Sequence, residues 1–193
     1  VDITSSKPAL KGFEALLRWR HPSLGLVGPG RFGELFDDPG LCAEIGRAVS
    51  RMAIDQGAEW RAKGLEFEKI AINVTSADLR SEQFGPSLLE NIRAAKLEPH
   101  HFCIEVTEGM FLGRGSERIF AALEWLHNAG LKIALDDFGT GFASLTHLKS
   151  LPIDRIKIDR SFVDKIEQDR ANSAIVHGLI RIAHSLDLLV TAE

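Results

Sequence analysis

The chain of 193 residues has no tyrosine, two cysteines and two methionines. It lacks any apolar run approaching the roughly 18 residues that a membrane-spanning helix needs, and no cationic-plus-apolar leader opens it. A soluble protein of the cytoplasm is therefore expected, although its parent could be membrane-anchored. Cys42 and Cys103 lie far apart in apolar-periodic segments, without the paired spacing of a zinc site or redox motif, and read as reduced structural thiols. Positive charge is also scarce: 23 Lys and Arg stand against 27 Asp and Glu, for a net charge of -4. That balance excludes a surface built to neutralise the phosphates of a DNA or RNA polymer, while a small anionic ligand stays open. Low-complexity tracts, linkers and short repeats are absent too. With 45% hydrophobic and 26% charged residues, the chain reads as one ordinary domain with a sizeable core.

What is present is a recurring unit, a short apolar run followed by a helical pattern. The strand candidates are GFEALLRW (12–19), KIAINVT (69–75), FCIEVTE (102–108), LKIALDD (131–137), IDRIKID (153–159) and LLVTAE (188–193). Between them, apolar residues recur at helical spacing: Leu41, Ile45, Val49 and Met52; Phe84, Leu88 and Ile92; Val176, Leu179, Ile180 and Ala183. Gly64 and Gly130 are the expected helix stops. Alternating strands and helices imply a parallel α/β sheet covered on both faces. Each strand candidate carries a polar group at or near its C-terminal end: Asn73, Glu105 with Glu108, Asp136 with Asp137, Lys157 with Asp159, and Glu193. A barrel brings such ends to one face, whereas an open doubly wound sheet gathers only a few. The barrel explains more residues.

Asp136 beside Asp137 poses an electrostatic question, because like charges about 5 Å apart repel by roughly 3 kcal/mol at an effective dielectric near 20. If Glu14, Glu105, Asp136, Asp137 and Glu193 faced one cavity, five negative charges would meet one positive charge from Lys157. Two divalent ions would restore neutrality. An oxygen-only donor set suits Mg²⁺ or Mn²⁺ better than zinc or copper. Paired divalent ions clamp the attacking and leaving oxygens of a phosphoester, so phosphodiester hydrolysis is the natural chemistry.

The same residues carry a family resemblance. Glu14, Ala15 and Leu16 in GFEALLRWRHP resemble the signature of the EAL family, bacterial phosphodiesterases that open cyclic di-GMP to linear pGpG. INVTS, EVTE, DDFGTGFASL, IKIDRSFV and TAE follow in the family's order over almost the whole chain. The resemblance implies a TIM-type (β/α)8 barrel. It makes Glu14, Asn73, Glu105 and Asp136 ligands of one Mg²⁺ or Mn²⁺ ion and gives Asp137 to a second. Lys157 would hold the catalytic water or a phosphate oxygen, and Glu193 would be the general base. Leu17 and Arg18 match positions that touch the dinucleotide, and the strand period would put Glu14 and Arg18 on one side. Glu108 is cast as a support for the loop after Asp137, reaching its backbone N–H groups or the Thr140 hydroxyl.

Blander readings account for other features. The DFG string at 137–139 lacks the HRD string and strand lysine of a protein kinase. His21 before Pro22 reads as a turn residue, the other six histidines show no ligand spacing, and Trp19, Trp60 and Trp125 read as packing residues. Phe142 stands where the family often has tyrosine. A barrel of this class usually needs about 250 residues. The chain is therefore expected to be a single EAL domain, 1–193, truncated at both ends, with only Val1 to Ile3 of the first strand and without the last strand and a substrate-binding glutamine. A homodimer and a parent bearing sensory or GGDEF-type modules are the expected context. A catalytically silent EAL domain that binds cyclic di-GMP or a partner protein is the alternative, disfavoured because every ligand position the chain reaches is filled.

Overall fold

The computed structural model describes residues 10–112, 115–139, 145–164 and 166–192, with the backbone alone at 145–147. The expected strand remnant at 1–3 lies outside them. The chain divides into two compact units, Val1–Cys103 and Ile104–Glu193.

In the first unit, β1 (Gly12–Ala15) and β4 (Lys69–Asn73) pair in parallel, Glu14 standing opposite Ala71. The strand expected over 12–19 stops at Ala15. The chain resumes as an antiparallel hairpin of β2 (Trp19–His21) and β3 (Gly25–Val27), turned by His21, whose Nδ1 accepts the Ser23 and Leu24 amides at 3.2 Å. The period argument linking Glu14 to Arg18 therefore fails, since no single strand joins them.

Helix α1 (Pro39–Ala62) begins at Asp38, whose carboxylate accepts the Gly40 and Leu41 amides, with Pro39 in the first turn. Its buried face is not the Leu41–Met52 stripe read from the periodicity, for Met52 is 70% exposed. Cys42, Ala53, Ile54 and Gly57 are buried instead. Small residues win that face because the sheet lies close: a Cβ on Gly57 would stand 2.9 Å from Ile70 Cδ1. The half-buried Trp60 packs on Phe13 at 4.5 Å between centroids, a packing contact rather than a free stacking platform. The short α2 (Ser76–Arg80) and α3 (Phe84–Ala94) follow, α3 burying Phe84, Leu88 and Ile92 as its spacing implied, and Leu89 besides.

Strand β5 (Phe102–Thr107) carries the chain from one unit into the other. In the second unit, β6 (Lys132–Phe138), β7 (Arg155–Ile158) and β8 (Leu189–Ala192) pair in parallel in that order. They alternate with α4 (Ser116–Asn128), α5 (Leu145–Ser150), α6 (Arg160–Val163) and α7 (Arg170–Ser185). Consecutive strand residues are buried, Cys103 beside Ile104 on β5 and Ile133, Ala134 and Leu135 in a row on β6, the both-faces burial that parallel strands require, and Ile119 and Leu123 of α4 have no exposed surface. Gly64 and Gly130, at φ of 74° and 101°, close α1 and α4 in the left-handed conformation that ends helices. Both cysteines are buried thiols.

Candidate metal centre

In the first unit, the parallel register of β1 and β4 sets Glu14 beside Asn73, and Asn73 Nδ2 donates to Glu14 Oε1 at 2.8 Å. Both side chains are exposed. The exit from β4 is fixed by a reciprocal cap: Thr75 Oγ1 accepts the Asp78 amide and Asp78 Oδ2 accepts the Thr75 amide, at 3.2 and 2.9 Å. Burial pushes the Asp78 carboxyl up, opposed by the hydrogen bonds from Thr75 and the charge of Arg47. Leu17 and Arg18 line an open, largely apolar cleft of about 340 Å³ with Glu14, Met52 and Trp60. The Arg18 guanidinium donates to the Leu17 carbonyl at 2.7 Å.

In the second unit, Glu105 on β5, Asp136 on β6 and Lys157 on β7 are 4%, 8% and 5% exposed. Lys157 Nζ lies 3.1 Å from Glu105 Oε2 and 3.0 Å from Asp136 Oδ1, and the two acids offer carboxylate oxygens within 4.8 Å of each other. Taking three charges out of water costs several kcal/mol each, so they persist only as a mutually paired set. The cation that the Asp136–Asp137 pair requires is thus in part a lysine already in the chain. The three charges still sum to -1, and all the acceptors are hard oxygens.

Asp136 and Asp137 do not sit as neighbours on a regular strand. The β6–β7 register shifts between Leu135 and Phe138, and Asp137 takes a φ of 52°. Left-handed backbone costs a non-glycine residue about 1–2 kcal/mol, and such strain gathers at functional sites. Here Asp136 is buried, Asp137 is exposed, and the Asp137 amide donates to Asp136 Oδ1 at 3.0 Å, which offsets part of their repulsion. Glu108, 4% exposed, accepts the Gly139 amide on Oε1 at 3.0 Å. Thr140, the other partner foreseen for Glu108, lies outside the described residues, as do Phe142 and the expected base Glu193.

Asp159, noted at a strand end in the sequence but given no role there, caps α6 by accepting the Ser161 amide at 2.9 Å. Hydrogen bonds from the Ser161 hydroxyl and then its amide hold the Asp159 carboxyl below the usual carboxylate range, with burial opposing.

The comparisons with known proteins settle the family. The model described as EAL domain matches residues 3–193. The chain belongs to the EAL family. It is 37% identical to the oxygen sensor protein DosP of Escherichia coli K12 over 192 residues, covering 100% of this chain and 24% of DosP. It is also 37% identical over 182 residues to the bifunctional diguanylate cyclase/cyclic di-GMP phosphodiesterase MucR of Pseudomonas aeruginosa, covering 94% of this chain and 26% of MucR. It therefore spans about a quarter of the length of these relatives. Among solved structures, the MucR phosphodiesterase in complex with c-di-GMP is similar with a TM-score of 0.84 and 36% identity, over 93% of this chain and 72% of that one. The FimX EAL domain of Pseudomonas aeruginosa bound to c-di-GMP gives 0.83 and 26%, over 97% and 74%. The expected fold class, a TIM-type α/β barrel of EAL type that is incomplete in this chain, stands.

Proposed function

We propose that the EAL domain to which this chain belongs hydrolyses cyclic di-GMP to linear pGpG in a reaction that requires Mg²⁺ or Mn²⁺. The observation that carries this reading is the buried Glu105–Lys157–Asp136 set, which holds a net negative charge in oxygen donors at strand ends. Such a set fits a hard divalent cation. When bound, a pair of such ions supplies charge neutralisation and a clamp on the attacking and leaving oxygens of in-line displacement.

In this reading Glu14, Asn73, Glu105 and Asp136 hold the first ion and Asp137 the second. Asn73 Nδ2, already donating to Glu14, leaves the amide oxygen available as a donor atom. Lys157 orients the attacking water or a phosphate oxygen from its fixed place between two carboxylates. Glu193 takes the water's proton as the P–O bond to the leaving ribose oxygen breaks. Leu17 and Arg18 contact the dinucleotide, Arg18 with a planar fork suited to phosphate or guanine. Glu108 supports the loop after Asp137, a role favoured by its hydrogen bond to the Gly139 amide. The reading includes residues 1–193 as one truncated domain of a cytoplasmic, homodimeric parent bearing sensory or GGDEF-type modules. Among the described residues no helix is long and apolar enough to cross a membrane.

The test is conversion of cyclic di-GMP to pGpG by the full-length parent, with and without chelation. Turnover is expected only with Mg²⁺ or Mn²⁺, and calcium, whose coordination is looser and longer, should inhibit. Tight binding of cyclic di-GMP without turnover would instead establish the receptor alternative. Undiminished turnover after exhaustive chelation would sink the metal mechanism.

A further inference from the structure

The first turn of α6 meets the segment that carries Asp137. Asp159 caps α6 by accepting the Ser161 amide at 2.9 Å, which fixes the start of that helix. One turn on, the half-buried Phe162 lays its ring against Gly139, where an added Cβ would stand 2.9 Å from Cε2 and 3.4 Å from Cζ. Gly139 has a φ of 103°, a conformation that side chains rarely adopt, so glycine is required there twice over, by its backbone and by the ring beside it. Its amide is held from another direction by Glu108 Oε1 at 3.0 Å. The left-handed Asp137 stands two residues earlier, within the register shift of β6.

Left-handed backbone at a non-glycine residue persists where its surroundings over-determine it. The Glu108 carboxylate restrains the amide of Gly139, and a carboxylate bond alone allows the peptide to pivot about the donor. A ring packed against the α-carbon removes that freedom. We infer that Phe162 is a positioning residue: its ring latches Gly139 against the Glu108 bond, and so holds Asp137 in the geometry in which it serves the second ion. The inference rests on the two-ion reading for its functional consequence, but not for the latch itself. It also accounts for an aromatic residue in a four-residue helix that has no fully buried side chain of its own. The latch makes α6, which directly follows the Lys157 strand, the element through which the lysine and Asp137 are set relative to each other within this unit.

Phe162→Ala, Phe162→Leu and Gly139→Ala in the full-length protein test this. Hydrogen exchange of the peptide containing Asp137 to Gly139, measured without metal, should speed up about 10-fold in Phe162→Ala and stay near wild type in Phe162→Leu, while peptides from β7 are unchanged. In a Mn²⁺ titration followed by electron paramagnetic resonance, the weaker ion's Kd should rise about 10-fold in Phe162→Ala and Gly139→Ala, with the tighter ion unaffected. Leucine should restore it. Unchanged exchange in Phe162→Ala would overturn the latch. Faster exchange with both ions bound as in wild type would overturn the positioning role, leaving Phe162 a packing residue. A wild-type protein that takes up a single ion would refute the two-ion reading, and the exchange comparison would still decide the latch.

Discussion

Removing the Lys157 ammonium is the most informative perturbation of the candidate centre. In Lys157→Met the side-chain volume is nearly kept, so packing changes little, but Glu105 and Asp136 lose the cation at 3.1 and 3.0 Å. Two carboxylates with oxygens within 4.8 Å then face each other almost without solvent. At an effective dielectric near 20 their repulsion is about 3 kcal/mol, and breaking a buried ion pair by deleting one partner generally costs about 3–5 kcal/mol. For a chain of this size the melting temperature should fall by about 6–20 °C, read by circular dichroism at neutral pH without divalent ions. Mg²⁺ should return more stability to the variant than to wild type, because the vacated positive charge sits among hard oxygen donors. The double variant Asp136→Asn/Lys157→Met should be less destabilised than the sum of the single changes, by more than about 1 kcal/mol. Lys157→Met within about 1 kcal/mol of wild type would show the three charges to be a solvated surface set, and the argument from buried charge would fail.

Glu108→Ala strips the Gly139 amide of a charged acceptor, a loss of about 1.5–3 kcal/mol of local stability. It should lower turnover of the full-length protein sharply; activity within about twofold of wild type at limiting and saturating Mg²⁺ would leave Glu108 a structural acid. His101 gives a pH dependence. Burial above all, then the charges of His100 and Arg61, hold its imidazole below the ordinary value of 6.5. The folded state thus resists the proton, and the stability it confers is present above 6.5 and lost as pH falls through that value toward the lower folded one. The urea midpoint should drop between pH 7.5 and 5, with a smaller drop in His101→Gln, and parallel curves for the two proteins would contradict the assignment. Ile156, with no exposed surface between two neighbouring strands, should lose about 2–5 kcal/mol in Ile156→Ala by equilibrium urea unfolding. A loss below 1 kcal/mol would mean that β7 is not in the core.

Much of the candidate centre could be read from the chain because parallel α/β strands announce themselves as apolar runs, and the residues closing those runs have few local reasons to be acidic. Glu105, Asp136 and Lys157 all lie on strands observed within a residue or two of the expected bounds. The hairpin of β2 and β3 was not legible, since GFEALLRW keeps its apolar character past the residue at which pairing with β4 ends. The buried stripe of α1 was misread because hydropathy favours Met52 and Leu41, whereas a close sheet selects Ala53 and Gly57 by size.

The sequence by itself determined the strand–helix alternation, the order of the EAL motifs and the oxygen chemistry of the strand ends, because side-chain period and residue type are local properties of the chain. The tertiary structure alone decided that Lys157 bridges Glu105 and Asp136 over separations of 52 and 21 residues, that Asp136 and Asp137 fall within the β6 register shift, and that Phe162 lies against Gly139. Those outcomes depend on strand register and on which element packs over a strand's end, and both are set by contacts between segments far apart in the chain rather than by any one segment.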